Sequence, residues 1–199
     1  MPLPTLYYIR HGETDWNAQG RLQGGQDIPL NALGRSQAAG AGAILRDLLA
    51  RDGQGEPALG FIASPLGRAR STMELVRGAL SLPPGQYAID GRLREISYGR
   101  WEGATLIELQ QADPELFARR QAEKWTLSAP GGESYAEVEA RVGVWYRELR
   151  ADTVTVAHGG TARALMVALG IATPESAVDL PVEQGVVYVF SAGGLTRFS

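Results

Sequence analysis

"TVTVAHGGTARALMVALG", residues 153–170, decides the fold. Five residues, "TVTVA", lead directly into His158, two glycines and an apolar pattern of helical spacing. Such a run reads as a strand buried on both faces. The segment after it predicts a helix that ends at Gly170. The same order recurs upstream. "TLYYIR" (5–10) predicts a strand, and "NALGRSQAAGAGAILRDLLAR" (31–51) a helix capped by Asn31. "LGFIAS" (59–64) predicts a second buried strand, and its following helix is expected to start with Ser64 as N-cap and Pro65 at the first helical position. "QYAID" (86–90) predicts a short third strand. "SYAEVEARVGVWYRELR" (134–150) predicts a helix opened by a capping box between Ser134 and Glu137. "VVYVF" and "LTRF", joined by "SAGG", predict a C-terminal hairpin. The stretch from about 91 to 132 is less regular, with short helices expected at "ATLIELQQ" and, after Asp113, at "PELFARRQAEKW".

Strands alternating with helices predict an α/β fold with helices on both faces of an open sheet. Ligands bind beyond the carboxyl ends of parallel strands in such folds. Arg10 and His11 follow the first strand, Ser64 and Arg68 the second, and His158 the strand "TVTVA". If these strands run parallel, groups remote in sequence meet on one edge of the sheet.

The 199 residues are 44% hydrophobic and 21% charged, an ordinary globular balance. No long apolar run predicts a membrane span. The N-terminal "MPLPTLYYIR" does not read as a secretion signal. With no cysteine, neither disulfides nor thiolate metal sites are expected. A cytoplasmic location fits these features. The formal charge of −3 argues against a nucleic-acid partner, so an anionic ligand needs a local cluster of cations. The only histidines are His11 and His158, a poor basis for a zinc site. "QGGQ" (23–26) is glycine-rich but lacks the lysine and hydroxyl residue of a nucleotide loop.

Six blocks in order carry a resemblance: "RHGETDWN" (10–17), "DIPLNALGRSQA" (27–38), "SPLGRARST" (64–72), "LREISYGRWEG" (93–103), "PGGES" (130–134) and "VAHGG" (156–160). The chain resembles the histidine phosphatase superfamily, in the branch that includes cofactor-dependent phosphoglycerate mutases. The resemblance covers nearly the whole chain and departs from the commoner pattern at Asn31, where threonine is frequent. Both residue types cap helices. It implies a three-layer α/β/α sandwich with a mostly parallel sheet, a single domain over 1–199 with a lid-like insertion at about 98–130, and phosphohistidine chemistry without metal or other cofactor.

His11 is then the expected nucleophile, attacking through a neutral ring nitrogen while the other bonds to a backbone carbonyl. Gly12 is expected to let the chain turn tightly, through a positive φ. Arg10 and Arg68 are expected to grip the phosphoryl oxygens, because guanidinium matches phosphate geometry and stays charged. Arg70 is expected to point elsewhere. His158 is the second imidazole, and Gly159 opens a helix whose N–H groups face the anion. Glu95 is the expected proton donor; Glu13 is expected to brace its loop and Glu102 the "WEG" turn. Asn17 is expected to bond the phosphate, and Gln23 and Gly24 to line the substrate entry.

A mutase and a phosphatase share the first half-reaction and differ in what attacks the phosphohistidine. Only 26 residues separate Gly103 from Pro130, where cofactor-dependent mutases are typically longer. "LREISYGRWEG" also looks more like the phosphatase branch. Hydrolysis of a small phosphorylated metabolite is therefore expected, with a phosphoglycerate mutase and a non-catalytic phosphate-binding module as alternatives. Tyr98, Arg100, Trp101, Phe117, Arg119, Arg120 and Trp125 are the expected selectors of the leaving group.

Overall fold

A computed structural model describes residues 4–51, 59–192 and 194–199. Four strands, β1 (Leu6–Arg10), β2 (Gly60–Ala63), β3 (Ala88–Ile89) and β4 (Thr153–Ala157), run parallel. Two more, β5 (Val187–Ser191) and β6 (Gly194–Phe198), form the antiparallel C-terminal hairpin. They make one six-stranded sheet in the order β3-β2-β4-β1-β5-β6.

The apolar run of β1 is buried on both sides. Leu6 and Tyr8 enter one core with Val138, Val142, Trp145 and Leu165, from α6 (Tyr135–Arg147) and α7 (Gly159–Ala168). Tyr7 and Ile9 enter the other with Leu45, Leu49, Met73 and Val76, from α2 (Ala32–Arg51) and α3 (Gly67–Ala79). Period-2 alternation thus divides one strand between two helical layers. This is the expected α/β/α architecture.

The helices leave the sheet in opposite directions: α7 follows β4 to one face, while α2 and α3, which follow β1 and β2, take the other. Because β4 lies between β2 and β1, a crevice opens at the carboxyl ends of the three central strands.

Local signals hold at most helix starts. Asn31 Oδ1 accepts from the Gly34 N–H at 2.8 Å, and Ser134 and Glu137 form their capping box. Two short helices fill the irregular region, α4 (Leu106–Ala112) and α5 (Pro114–Ala122), the latter capped by Asp113. The expectation for α3 fails. Its N-cap is Leu66, with no side-chain cap of its own. Instead Asp27, from a distant loop, accepts from the N–H groups of Gly67 at 2.8 Å and Arg68 at 3.4 Å. The third strand is only Ala88–Ile89, since it pairs with β2 alone at the sheet edge.

Candidate active site

The loop after β1 crosses the first turn of α2. Gly12 does not have a positive φ, contrary to expectation. Its need is proximity: a Cβ there would stand 2.0 Å from the Gly34 carbonyl oxygen, and one on Gly34 would stand 2.0 Å from that of Glu13. The two glycines let backbone touch backbone, which fixes the loop carrying His11.

His11 is 2% exposed. Its Nδ1 lies 2.7 Å from its neighbour's carbonyl, Gly12 O, which can only accept; Nδ1 therefore carries the proton. Nε2 keeps its lone pair and accepts from Arg68 Nε at 3.2 Å. Arg68 also donates through Nη1 to the Gln26 carbonyl at 2.5 Å and through Nη2 to the Gly24 carbonyl at 2.9 Å. Among the described residues three of its five N–H groups are engaged, which leaves two for a ligand. Arg10 Nη1 donates to the Val182 carbonyl at 2.7 Å, while its buried Nε has no partner among the described residues.

One cavity of about 140 Å³ is lined by Arg10, His11, Asn17, Gln23, Gly24, Arg68, Glu95 and Gly159, together with Arg21, Tyr98 and Arg163. Every expected site residue except His158 is in its wall. His158 is fully buried, with its ring 5.1 Å from that of His11 between centroids. In the one-turn helix α1 (Asp15–Ala18), Asn17 closes a capping box with Thr14, and its Oδ1 also accepts from Gln184 Nε2 at 3.1 Å. The carboxamide oxygen is thereby occupied and the NH2 group left for the cavity. Gln23 is buried, and its Oε1 has no partner among the described residues. Gly24, at φ +51°, turns its carbonyl to Arg68.

Glu95 follows a 3₁₀ turn, Gly91–Leu93, and reaches the N-terminus of α7. Its carboxylate accepts from the N–H groups of Gly160 at 3.2 Å and Thr161 at 3.3 Å. Positive helix ends favour such an anion. Glu13 accepts from Asn31 Nδ2 at 3.0 Å and so braces its loop, and Arg70 is exposed, away from the cavity. Glu102 does more than hold its own turn. It accepts from the Tyr98 N–H, the Gly25 N–H, Ser97 Oγ and Gln26 Nε2, tying two walls of the site together.

A second cavity of about 200 Å³ adjoins the first through Leu22, Tyr98 and Arg163. Tyr98, Trp101, Phe117 and Arg120, expected selectors, line it with Lys124 and Tyr135. Arg100 and Arg119 are exposed outside it, and Trp125 stacks on Tyr135 at 5.3 Å. Sequence reasoning missed the placing roles of Ser64, Tyr8 and Asp27 and the wall residue Arg163. Ser64 and Asp27 stood inside quoted blocks, but nothing local marked what their side chains hold.

Both imidazoles are held well below the usual histidine range, first by burial and then by Arg68. They stay neutral at pH values where the unfolded chain binds protons, near pH 6.5. Their contribution to stability is complete above about pH 6.5 and is lost as pH falls through their folded values. Urea unfolding is expected to show lower stability at pH 5 than at pH 7.5, with a smaller difference in a His11→Asn, His158→Asn double variant. Equal pH dependence in the two proteins would contradict this.

The fold and this crevice define an α/β protein with two buried imidazoles and two arginines gathered at the carboxyl ends of its parallel strands. The profile of the histidine phosphatase superfamily (branch 1) matches residues 6–195, and the chain belongs to this family. It is 32% identical over 194 residues to a 2,3-bisphosphoglycerate-dependent phosphoglycerate mutase of Beijerinckia indica subsp. indica, covering 93% of this chain and 90% of the relative. It is 35% identical over 183 residues to a glucosyl-3-phosphoglycerate phosphatase of Mycolicibacterium vanbaalenii, covering 85% and 75%. Among solved structures, a mycobacterial glucosyl-3-phosphoglycerate phosphatase complexed with VO3 matches with a TM-score of 0.78 at 29% identity, covering 98% of this chain and 97% of that one. The relatives thus include both mutases and phosphatases.

Proposed function

We propose that the chain is a phosphomonoester hydrolase that works through a covalent phosphohistidine on His11, with Glu95 as proton donor and no metal ion. The observation that supports this is the fixed tautomer of His11, whose Nε2 lone pair faces Arg68 while Nδ1 is bonded to Gly12 O. In the first step Nε2 bonds to phosphorus and the bond to the leaving oxygen breaks as Glu95 supplies its proton. Water then attacks phosphorus and gives a proton to Glu95. The P–N bond breaks, and phosphate leaves. Phosphoryl transfer asks chiefly for positioning and charge stabilisation. Arg10 Nε, the two open N–H groups of Arg68 and the Asn17 amide supply these.

The segment 98–130 is the lid in this reading, with α4 and α5 walling the leaving-group cavity. Arg120 is 5% exposed there, its Nε has no partner among the described residues, and Lys124 is paired with Asp179. A buried arginine beside aromatic rings, with no acidic partner among the described residues, suits a small metabolite bearing an acidic group besides its phosphate.

The second reading, a phosphoglycerate mutase, is supported by the mutase relatives. Incubation with p-nitrophenyl phosphate, and separately with 3-phosphoglycerate plus 2,3-bisphosphoglycerate, distinguishes the two. Phosphate release from the first, unaffected by EDTA, supports hydrolysis; isomerised phosphoglycerate without it supports the mutase. Glu95→Gln is expected to slow alkyl phosphate hydrolysis about 10²–10⁴-fold and aryl hydrolysis less, because a phenolate leaves without help. Equal losses would remove Glu95 from the acid role.

A further inference from the structure

His158 is held by two hydroxyl groups that the reaction scheme does not use. Tyr8 clamps its main chain: the phenol oxygen accepts from the His158 N–H at 3.0 Å and donates to the His158 carbonyl at 2.7 Å. Ser64 holds its ring, with Oγ 2.7 Å from Nε2. All three residues have 0% exposure. The strand order places His158, at the end of β4, between Ser64 after β2 and His11 after β1. Its Nδ1 is buried and has no partner among the described residues.

Counting hydrogens selects the tautomer. Ser64 Oγ accepts from the Leu66 N–H at 3.4 Å, which leaves the hydroxyl hydrogen for Nε2. The ring proton is then on Nδ1, the single unpaired group. In the other tautomer Nε2–H donates to Oγ, and among the described residues both the Ser64 hydrogen and the Nδ1 lone pair lack partners. Buried polar groups left unpaired are costly, so the first arrangement prevails.

We propose that Ser64 is a positioning residue that fixes the proton of His158 on Nδ1, and that this N–H is a donor held for a phosphoryl oxygen. The second half rests on the phosphohistidine reading; the first does not. The two imidazoles then take opposite roles through opposite nitrogens. His11 spends its N–H on a carbonyl and presents a lone pair. His158 spends its lone pair on a hydroxyl and presents an N–H. A neutral donor suits a place where Arg10 and Arg68 already supply positive charge, and burial there opposes a third cation.

Only two histidines are present, so ¹⁵N-histidine labelling gives two ring systems, assigned with His158→Asn. The wild-type protein at pH 7.5 is expected to carry the His158 proton on Nδ1. In Ser64→Ala that preference should disappear with the His11 ring signals unchanged. The kcat for p-nitrophenyl phosphate should fall about 10- to 100-fold, less than the ~10²–10³ that loss of a whole charge-stabilising donor costs. Ser64→Thr, which keeps the hydroxyl, should restore the signature and most of the rate. A wild-type ring protonated on Nε2 would overturn the proposal even if Ser64→Ala failed to fold, as would an alanine variant with unchanged tautomer and rate. The expected tautomer in a protein that forms phosphohistidine with no ester would uphold the role of Ser64 and overturn the reaction reading alone.

Discussion

His11→Ala is expected to eliminate the acid-labile phosphoenzyme and to reduce turnover by a factor on the order of 10⁴–10⁶, as when a nucleophile is deleted elsewhere. The variant loses the one ring nitrogen whose lone pair the structure directs at Arg68. Its fold should persist. The residue is a neutral group buried beside cations, and the surrounding loop is fixed independently by the Gly12–Gly34 contact and by the Gly12 N–H bond to Thr72 Oγ1 at 3.1 Å. Rapid acid quench after mixing with a labelled ester, together with circular dichroism, measures both. Phosphoenzyme in a folded His11→Ala protein would place the nucleophile elsewhere.

Arg68→Ala should damage both chemistry and folding. Turnover is expected to fall about 10³-fold, the scale for removing a principal charge-stabilising group. The same change leaves the carbonyls of Gly24 and Gln26 and the His11 nitrogen without their donor. Hydrogen bonds from charged groups contribute about 1.5–3 kcal/mol each, so a loss of about 3 kcal/mol of stability is expected even after water reaches part of the gap. Arg68→Lys should recover part of the stability and little of the rate, because one ammonium cannot span His11 and two carbonyls in a plane. Urea unfolding and steady-state rates test the pair. A lysine variant with wild-type turnover would show that the fork geometry is dispensable.

The strand ends were legible because each is a buried run broken by a polar corner, and that pattern alone brings residues 10, 11, 64 and 158 to one edge. The carbonyl partner of His11 Nδ1 also followed from simple hydrogen-bond chemistry. What escaped was settled by contacts between distant segments. Ser64-Pro65 has the form of a helix start, yet the helix is capped by Asp27 and the serine hydroxyl goes to His158. In "LYYI" nothing separates a phenol that packs from one that grips a main chain; only the pairing of β1 with β4 puts Tyr8 beneath His158. Gly12 was expected for its dihedral freedom and proved necessary for lack of volume.

The bridge formed by Glu102 joins the Gly24–Gln26 loop, whose carbonyls hold Arg68, to the root of the segment that walls the second cavity. Beyond that anchor, α5 packs on α4, and α4 is held to the first cavity's wall by Arg21, which pairs with Glu108 at 3.0 Å. A substitution at position 102 would therefore loosen both cavities at once, because one carboxylate ties the Gly24–Gln26 loop of the first to Tyr98, which the two share.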